Sequence, residues 1–269
     1  MKNYVKKLIP KFIKLSLNQM LGRVNFYKGD YVSWQKALSS SSGYTSQSLI
    51  NKVIESNNAV ISKEAKYERD GVLFDEVNFA MELNACLLLG FVQKDDEKLY
   101  EIVDFGGSLG TVYRQFDEFT SKQLNYSWNI LEQEKLYEFG SANLETKKLK
   151  FHLSSESSIS DFTPDIVIFS AVLEFLEDFK SPLRGAISAC PKYIVFDRLP
   201  VWGGGYNHLS VLVAARHITG SYPCWIFHYD FLEKFLEGYE LVSKWSALGG
   251  KFKFAAGEAE YIGMLWRKL

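Results

Sequence analysis

The sequence predicts an α/β protein built on a mostly parallel sheet, and three observations carry that prediction. From about residue 98 onward, strand-like and helix-like segments alternate, as they do when helices cross between parallel strands. Two of the strand-like segments, Asp165 to Ser170 and Tyr193 to Asp197, are almost continuously apolar, the pattern of strands covered on both faces. The first segment, Glu101 to Phe105, runs directly into the glycine-rich turn Gly106-Gly107-Ser108-Leu109-Gly110. A turn of that kind at the carboxyl end of a parallel strand lets a small molecule lie against backbone.

In chain order, residues 1 to about 95 read as mostly helical, a helical extension or cap ahead of an α/β domain over 96–269. Val5, Leu8, Ile9 and Phe12 recur at helical spacing among Lys6, Lys7, Lys11 and Lys14. Such a segment fits either a helix docked on the protein's own core or a weak membrane-surface contact, and Pro10 shortens any helix there. Ser39-Ser40-Ser41-Ser42-Gly43 is a loop signal, and helical patterns follow at Ser46 to Ser56 and Val77 to Phe91. The α/β part then predicts strands at Glu101 to Phe105, Tyr126 to Glu132, Lys148 to Leu153, Asp165 to Ser170 and Tyr193 to Asp197. Helices are expected around Val172 to Phe179, Pro182 to Ala189 and Phe231 to Leu236. Tyr239 to Trp245 and Tyr261 to Trp266 pair as a terminal hairpin across a glycine-rich connection.

Composition narrows the partners. A chain of 269 residues, 47% hydrophobic and 23% charged, buries a sizeable core. Its net charge of −1 gives no general drive toward nucleic acid. Cys86, Cys190 and Cys224 are scattered without disulfide or metal spacing, which fits a reducing, cytoplasmic setting. No apolar run is long enough to span a bilayer. His152, His208, His217 and His228 show no metal-ligand spacing, so no metal site is expected.

The glycine turn indicates which ligand it serves. A dinucleotide loop separates its first and last glycines by five positions, whereas Gly106 and Gly110 are four apart and Asp104 precedes them. That is the shorter form associated with S-adenosylmethionine, and no Gly-Lys-Ser/Thr phosphate loop is present. Glu132 ends the second strand 22 positions after Gly110, where a carboxylate accepts hydrogen bonds from a ribose diol. Ser170 and Ala171 follow the fourth strand on the crevice side. Asp197-Arg198 ends the fifth, offering a base and an anion clamp or a plain structural ion pair. In Leu199-Pro200-Val201-Trp202-Gly203-Gly204-Gly205-Tyr206-Asn207-His208 the three glycines suggest a mobile lid or a backbone close to ligand, with His208 a candidate general base because imidazole titrates near neutrality. His217, Tyr222, Trp225 and His228 form an aromatic–imidazole cluster that either walls the acceptor pocket or packs in the core.

Taken together these stretches resemble class I S-adenosylmethionine-dependent methyltransferases, and more narrowly a bacterial group associated with surface-polysaccharide gene regions. The resemblance rests on Gly43-Tyr44, Tyr67-Glu68-Arg69-Asp70, Phe74-Asp75-Glu76, the Asp104 to Gly110 loop, Trp128 with Glu132-Gln133, and Ser170 to Asp178. Asp197-Arg198 and Ser221-Tyr222-Pro223 continue it. It implies a Rossmann-like, seven-stranded sheet with the terminal hairpin and an N-terminal helical extension over the site. It implies that Asp104, Phe105, Gly106, Gly107, Ser108 and Gly110 hold the methionine moiety of S-adenosylmethionine and that Glu132, beside Gln133, holds the ribose. Ser108 departs from the family pattern, standing where the middle glycine would be.

The expected activity is methyl transfer to a hydroxyl of a sugar, nucleotide sugar or small phosphorylated acceptor in capsule or lipopolysaccharide assembly. His208 and Asp197 are the candidate bases, and Arg198 and Arg69 the candidate anion clamps, with Tyr222 and His228 lining the acceptor pocket. Three competing readings are a non-catalytic cofactor-binding module, a nicotinamide-dependent oxidoreductase and a nucleic-acid methyltransferase; loop spacing argues against the second and near-neutral charge against the third.

Overall fold

The computed structural model describes residues 25–42, 47–69, 71–75, 81–91, 99–120, 124–214 and 220–269. The lysine-rich amphipathic segment at the N-terminus, Gly43-Tyr44, Asp70, Glu76 and His217 lie outside the described residues.

Five parallel strands form the centre. β4 (Tyr100–Phe105), β5 (Tyr126–Glu132), β6 (Leu149–Leu153), β7 (Ile166–Ser170) and β8 (Tyr193–Trp202) stand in the order β6-β5-β4-β7-β8. The chain moves outward from β4 to β5 and β6, then returns to place β7 on β4's other edge. That reversal opens a crevice above the carboxyl ends of β4 and β7, where ligands of open α/β sheets bind. The strands read as they do because both faces are covered. Ile102, Ile166, Ile168 and Val195 pack into one apolar layer with Leu83 and Leu87 of α3 (Met81–Leu89), Val112 and Phe116 of α4 (Thr111–Phe119) and Tyr137 of α5 (Glu134–Asn143). The alternate residues Val103, Val167, Phe169, Ile194 and Phe196 pack into the other with Leu183 and Ala186 of α6 (Lys180–Ala189). Each large side chain fully buried this way contributes about 1.5–3 kcal/mol.

The terminal hairpin is longer than the sequence suggests. β11 (Tyr239–Phe254) and β12 (Gly257–Lys268) pair antiparallel, and β12 also runs antiparallel along β8. The expected seven-stranded sheet would end there. Among the described residues, however, the sheet has ten strands. The additional three are β1 (Phe26–Lys28), β9 (His208–Val213) and β10 (Ser221–His228). β8 continues past the end of β7, and its last residues, Val201 and Trp202, take β10 as a new parallel neighbour. β9 and β1 then add antiparallel, so the sheet draws on residues before 95 as well as after. The remaining N-terminal elements are α1 (Trp34–Ser39), α2 (Gln47–Ile61) and the hairpin of β2 (Tyr67–Arg69) and β3 (Val72–Phe74). α2 sets Ile50 and Val53 against Leu109 and Leu136, over the mouth of the crevice.

The stretch that reads as a lid is structural. Leu199 to Trp202 belong to β8 and His208 opens β9. A Cβ at Gly204 would overlap the Trp202 indole, so that glycine serves close packing of the ring. The helix expected over Val172 to Phe179 is reduced to one 3₁₀ turn, Leu173–Phe175.

Candidate active site

A cleft of about 330 Å³ opens at the carboxyl ends of β4, β5, β7 and β8. Its walls include Gly106, Gly107, Ser108, Glu132, Gln133 and Ser154, together with Glu68, Arg69, Ser170, Ala171, Val172 and Arg198. Apolar walls with a few convergent polar groups are the usual make-up of a small-molecule site.

The loop after β4 is built from left-handed backbone. Gly106 has φ 70°, Ser108 52° and Gly110 83°. Gly106 N–H donates to Leu131 O at 2.8 Å, fastening the turn to β5. A Cβ on Gly106 would overlap the Val172 side chain, and one on Gly107 would meet Asp104 Oδ2 at 2.5 Å. Both positions therefore need glycine for space, and Gly106 needs it for φ as well. Ser108 occupies a conformation glycine would adopt more easily, which gives its departure from the family pattern a physical measure. Strain recurs around the cleft: of the described non-glycine residues with positive φ, Ser108, Ala171 and Arg198 all line it, while Lys63 and Cys190 do not. Such backbone concentrates at functional sites.

Glu132 stands as expected at the end of β5. Its Oε2 accepts from Ser108 N–H at 2.9 Å and its Oε1 from Gln133 N–H at 2.8 Å. Burial pushes its carboxyl up, and the two backbone donors pull it back. The carboxylate is thereby fixed in the cleft with lone pairs remaining on each oxygen. Asp104 differs from expectation. Its side chain lies beneath the loop, fully buried, and is not part of the cleft wall. Oδ2 accepts from Trp128 Nε1 at 3.2 Å, while Oδ1 has no hydrogen-bond partner among the described residues. Burial pushes this carboxyl up to about 7, with Glu132 and Asp197 adding to the rise and Trp128 and Arg69 opposing it.

Beside the cleft β8 and the β2–β3 hairpin meet. Asp197 Oδ2 lies 3.4 Å from Arg69 Nη1 and 3.9 Å from Arg198 Nε, and accepts from Ser170 Oγ at 3.0 Å. Glu68 accepts a hydrogen bond from the Thr111 hydroxyl, with Arg114 Nη2 at 3.8 Å. Sequence reasoning passes over Glu68 as a site residue, although it lies inside the Tyr67-Glu68-Arg69 stretch. Its place in the cleft comes from a short hairpin folding back over the sheet, which local pattern does not reveal.

Three predicted residues fall elsewhere. His208 is fully buried in β9, with Nε2 3.4 Å from Gly29 O, Nδ1 3.5 Å from Asp30 and the ring against Phe254. It is packed as a core imidazole, away from the cleft. Tyr222 lies in β10 behind Phe175, its ring centroid 6.2 Å from that of Phe175, so it backs the cleft wall without forming it. His228 ends β10 beside Asp230, also outside the cleft. Strand alternation explains both, since β10 reads in sequence as a loop cluster whose residues all converge. No group of His, Cys, Asp and Glu among the described residues is arranged to hold a metal ion.

No protein-family model matches the sequence, and no curated protein aligns with it. Solved structures of similar fold include the N-terminal domain of EvdMO1 with S-adenosylhomocysteine bound (TM-score 0.47, 12% identity, 79% of this chain and 97% of that one). Another is the 1,6-didemethyltoxoflavin-N1-methyltransferase of Burkholderia thailandensis with bound 1,6-didemethyltoxoflavin and S-adenosylhomocysteine (TM-score 0.44, 11% identity, 84% and 92%). A third is an S-adenosylmethionine-dependent methyltransferase of Mesorhizobium loti (TM-score 0.42, 11% identity, 67% and 96%).

Proposed function

We propose that this chain is an S-adenosylmethionine-dependent methyltransferase acting on a hydroxyl of a small polar acceptor, a sugar or nucleotide sugar in surface-glycan assembly. The observation that carries the donor half is the joint between loop and carboxylate. The Ser108 N–H bond to Glu132 sets an acid for a ribose diol directly beside a glycine turn whose tight backbone suits the methionine end. Gln133, Ser154 and Leu136 would flank the base. The glycan half rests on the sequence resemblance.

A bound sulfonium donor supplies a methyl group already activated for displacement. The chain's own residues hold the acceptor oxygen in line with it and keep water out. The acceptor oxygen forms the new bond to the methyl carbon, the carbon–sulfur bond breaks with its electron pair leaving on sulfur, and the acceptor proton passes to a carboxylate. Glu68 is the carboxylate that lines the cleft, while Asp197 lies buried behind the wall, held by Ser170 Oγ and Arg69. Calorimetry with S-adenosylhomocysteine and with NAD tests the donor assignment. Binding of the first at micromolar strength and none of the second is expected; the reverse would move the protein to the nicotinamide-dependent class. Binding without S-adenosylhomocysteine production on any acceptor would favour a non-catalytic module. Among the described residues no helix is long and apolar enough to cross a membrane.

A further inference from the structure

Arg198 sits in β8 at a local fault in the sheet. Leu199 pairs with Ile262 and Phe196 with Met264, so Asp197 and Arg198 together oppose the single residue Gly263. This is a β-bulge, a device that bends a strand and re-aims a side chain. Gly263 on the partner strand has its own constraint, since a Cβ there would overlap the Trp245 ring. The bulge puts Arg198 at φ 58°, left-handed backbone that an arginine adopts only when its surroundings impose it. The neighbouring Ala171, at φ 50°, donates its N–H to Asp197 O at 3.0 Å, fastening the residue before Arg198 at the cleft edge. The result is an arginine turned into the cleft wall with its side chain 13% exposed. Arg69 reaches the same carboxylate oxygen from the β2–β3 hairpin. Two guanidiniums therefore line the cleft around one carboxylate.

From this geometry we infer that the bulge at Asp197–Arg198 makes Arg198 a specificity residue for an anionic acceptor, one carrying a carboxylate or phosphate close to its reacting hydroxyl. The inference rests on the methyltransferase reading and narrows its substrate class. A planar guanidinium fork suits bidentate pairing with either anion, and within a largely enclosed cleft such a pair is stronger than at a surface. Arg69 and Arg198 share the single Asp197 carboxylate oxygen, so that carboxylate does not neutralise both guanidiniums.

The test uses the full chain saturated with S-adenosylhomocysteine, titrated with inorganic phosphate, acetate and neutral methyl glucoside. Phosphate or acetate should bind with saturation while methyl glucoside alone does not, and whichever of the two binds more tightly identifies phosphate or carboxylate as the source. Arg198→Asn keeps a residue that tolerates left-handed backbone and removes only the guanidinium. It should melt at the same or a higher temperature, bind S-adenosylhomocysteine within twofold of wild type, and lose at least tenfold in anion affinity. Arg198→Lys should restore part of that affinity. No saturable anion binding to the loaded wild-type protein, or equal binding to Arg198→Asn, would overturn the proposal. A wild-type protein that fails to bind S-adenosylhomocysteine would instead sink the donor reading beneath it.

Discussion

Replacing Asp104 by Asn should remove a loss of stability that the wild-type protein suffers as pH rises from mild acid to mild alkali. The carboxyl is fully buried and sits at about 7, against an ordinary value of 3.8. In the unfolded chain it is ionised throughout the neutral range. In the folded protein it holds its proton until pH approaches 7. The folded state thus binds the extra proton, so the stability linked to this group is complete below pH 4 and is lost progressively as pH rises from there through 7. Roughly three units of difference at 1.36 kcal/mol each set a limit of about 4 kcal/mol. Between pH 5 and 8 the share lost is about 2–3 kcal/mol. The amide of Asp104→Asn cannot ionise, and its oxygen can still accept from Trp128 Nε1. Urea unfolding of both proteins at pH 5, 6, 7 and 8 isolates the effect, because every other titration is common to both. Whatever the stability difference is at pH 5, it should move by about 2–3 kcal/mol in favour of the variant by pH 8. A difference that stays constant to within about 0.5 kcal/mol would refute the assignment of a neutral, buried Asp104.

Other substitutions probe the same architecture. Glu132→Ala removes the proposed ribose acceptor, and calorimetry should show S-adenosylhomocysteine affinity falling by about 10- to 100-fold, as for loss of hydrogen bonds to a charged group. Gly107→Ala forces a Cβ to within 2.5 Å of Asp104 Oδ2, so it should cost about 1–3 kcal/mol in unfolding experiments and abolish ligand binding. Ser108→Gly relieves left-handed strain at φ 52° and should raise unfolding stability by about 1 kcal/mol. His208→Ala should lower stability by about 1–3 kcal/mol through a buried cavity yet leave turnover per folded molecule within about threefold of wild type; abolished turnover with an intact fold would return the histidine to the mechanism.

The proposed donor half of the site is legible in the sequence because it is local. Asp104, the glycine turn and Glu132 fall at the ends of two adjacent strands, and strand ends are marked by apolar runs and turn residues. The acceptor half is partly legible. Arg198 and Asp197 stand out because they also end an apolar strand. Glu68 escapes notice, and Tyr222, His208 and His228 lie outside the cleft, because reading 203–228 as a glycine loop and an aromatic–imidazole cluster gives no sign of the strands β9 and β10. The spacing of Asp104 suggests a residue facing the ligand, but a side chain in a central strand points to one face of the sheet or the other, and this one lies under the turn.

What the amino-acid sequence determined by itself is the order of the five central strands and the terminal hairpin, the burial of the central strands on both faces, and a glycine turn followed by a carboxylate. Each follows from local periodicity or from residues whose backbone preferences act over a few positions. Only the tertiary structure decided that β8 outruns β7 and recruits β10, β9 and β1, that a hairpin from before residue 75 brings Glu68 and Arg69 to the cleft, and that a bulge opposite Gly263 turns Arg198 into it. Those outcomes depend on contacts between segments far apart in the chain, up to more than a hundred residues for Arg69 with Asp197. Pairings of that range are chosen by how whole layers pack, and no short window of sequence carries them.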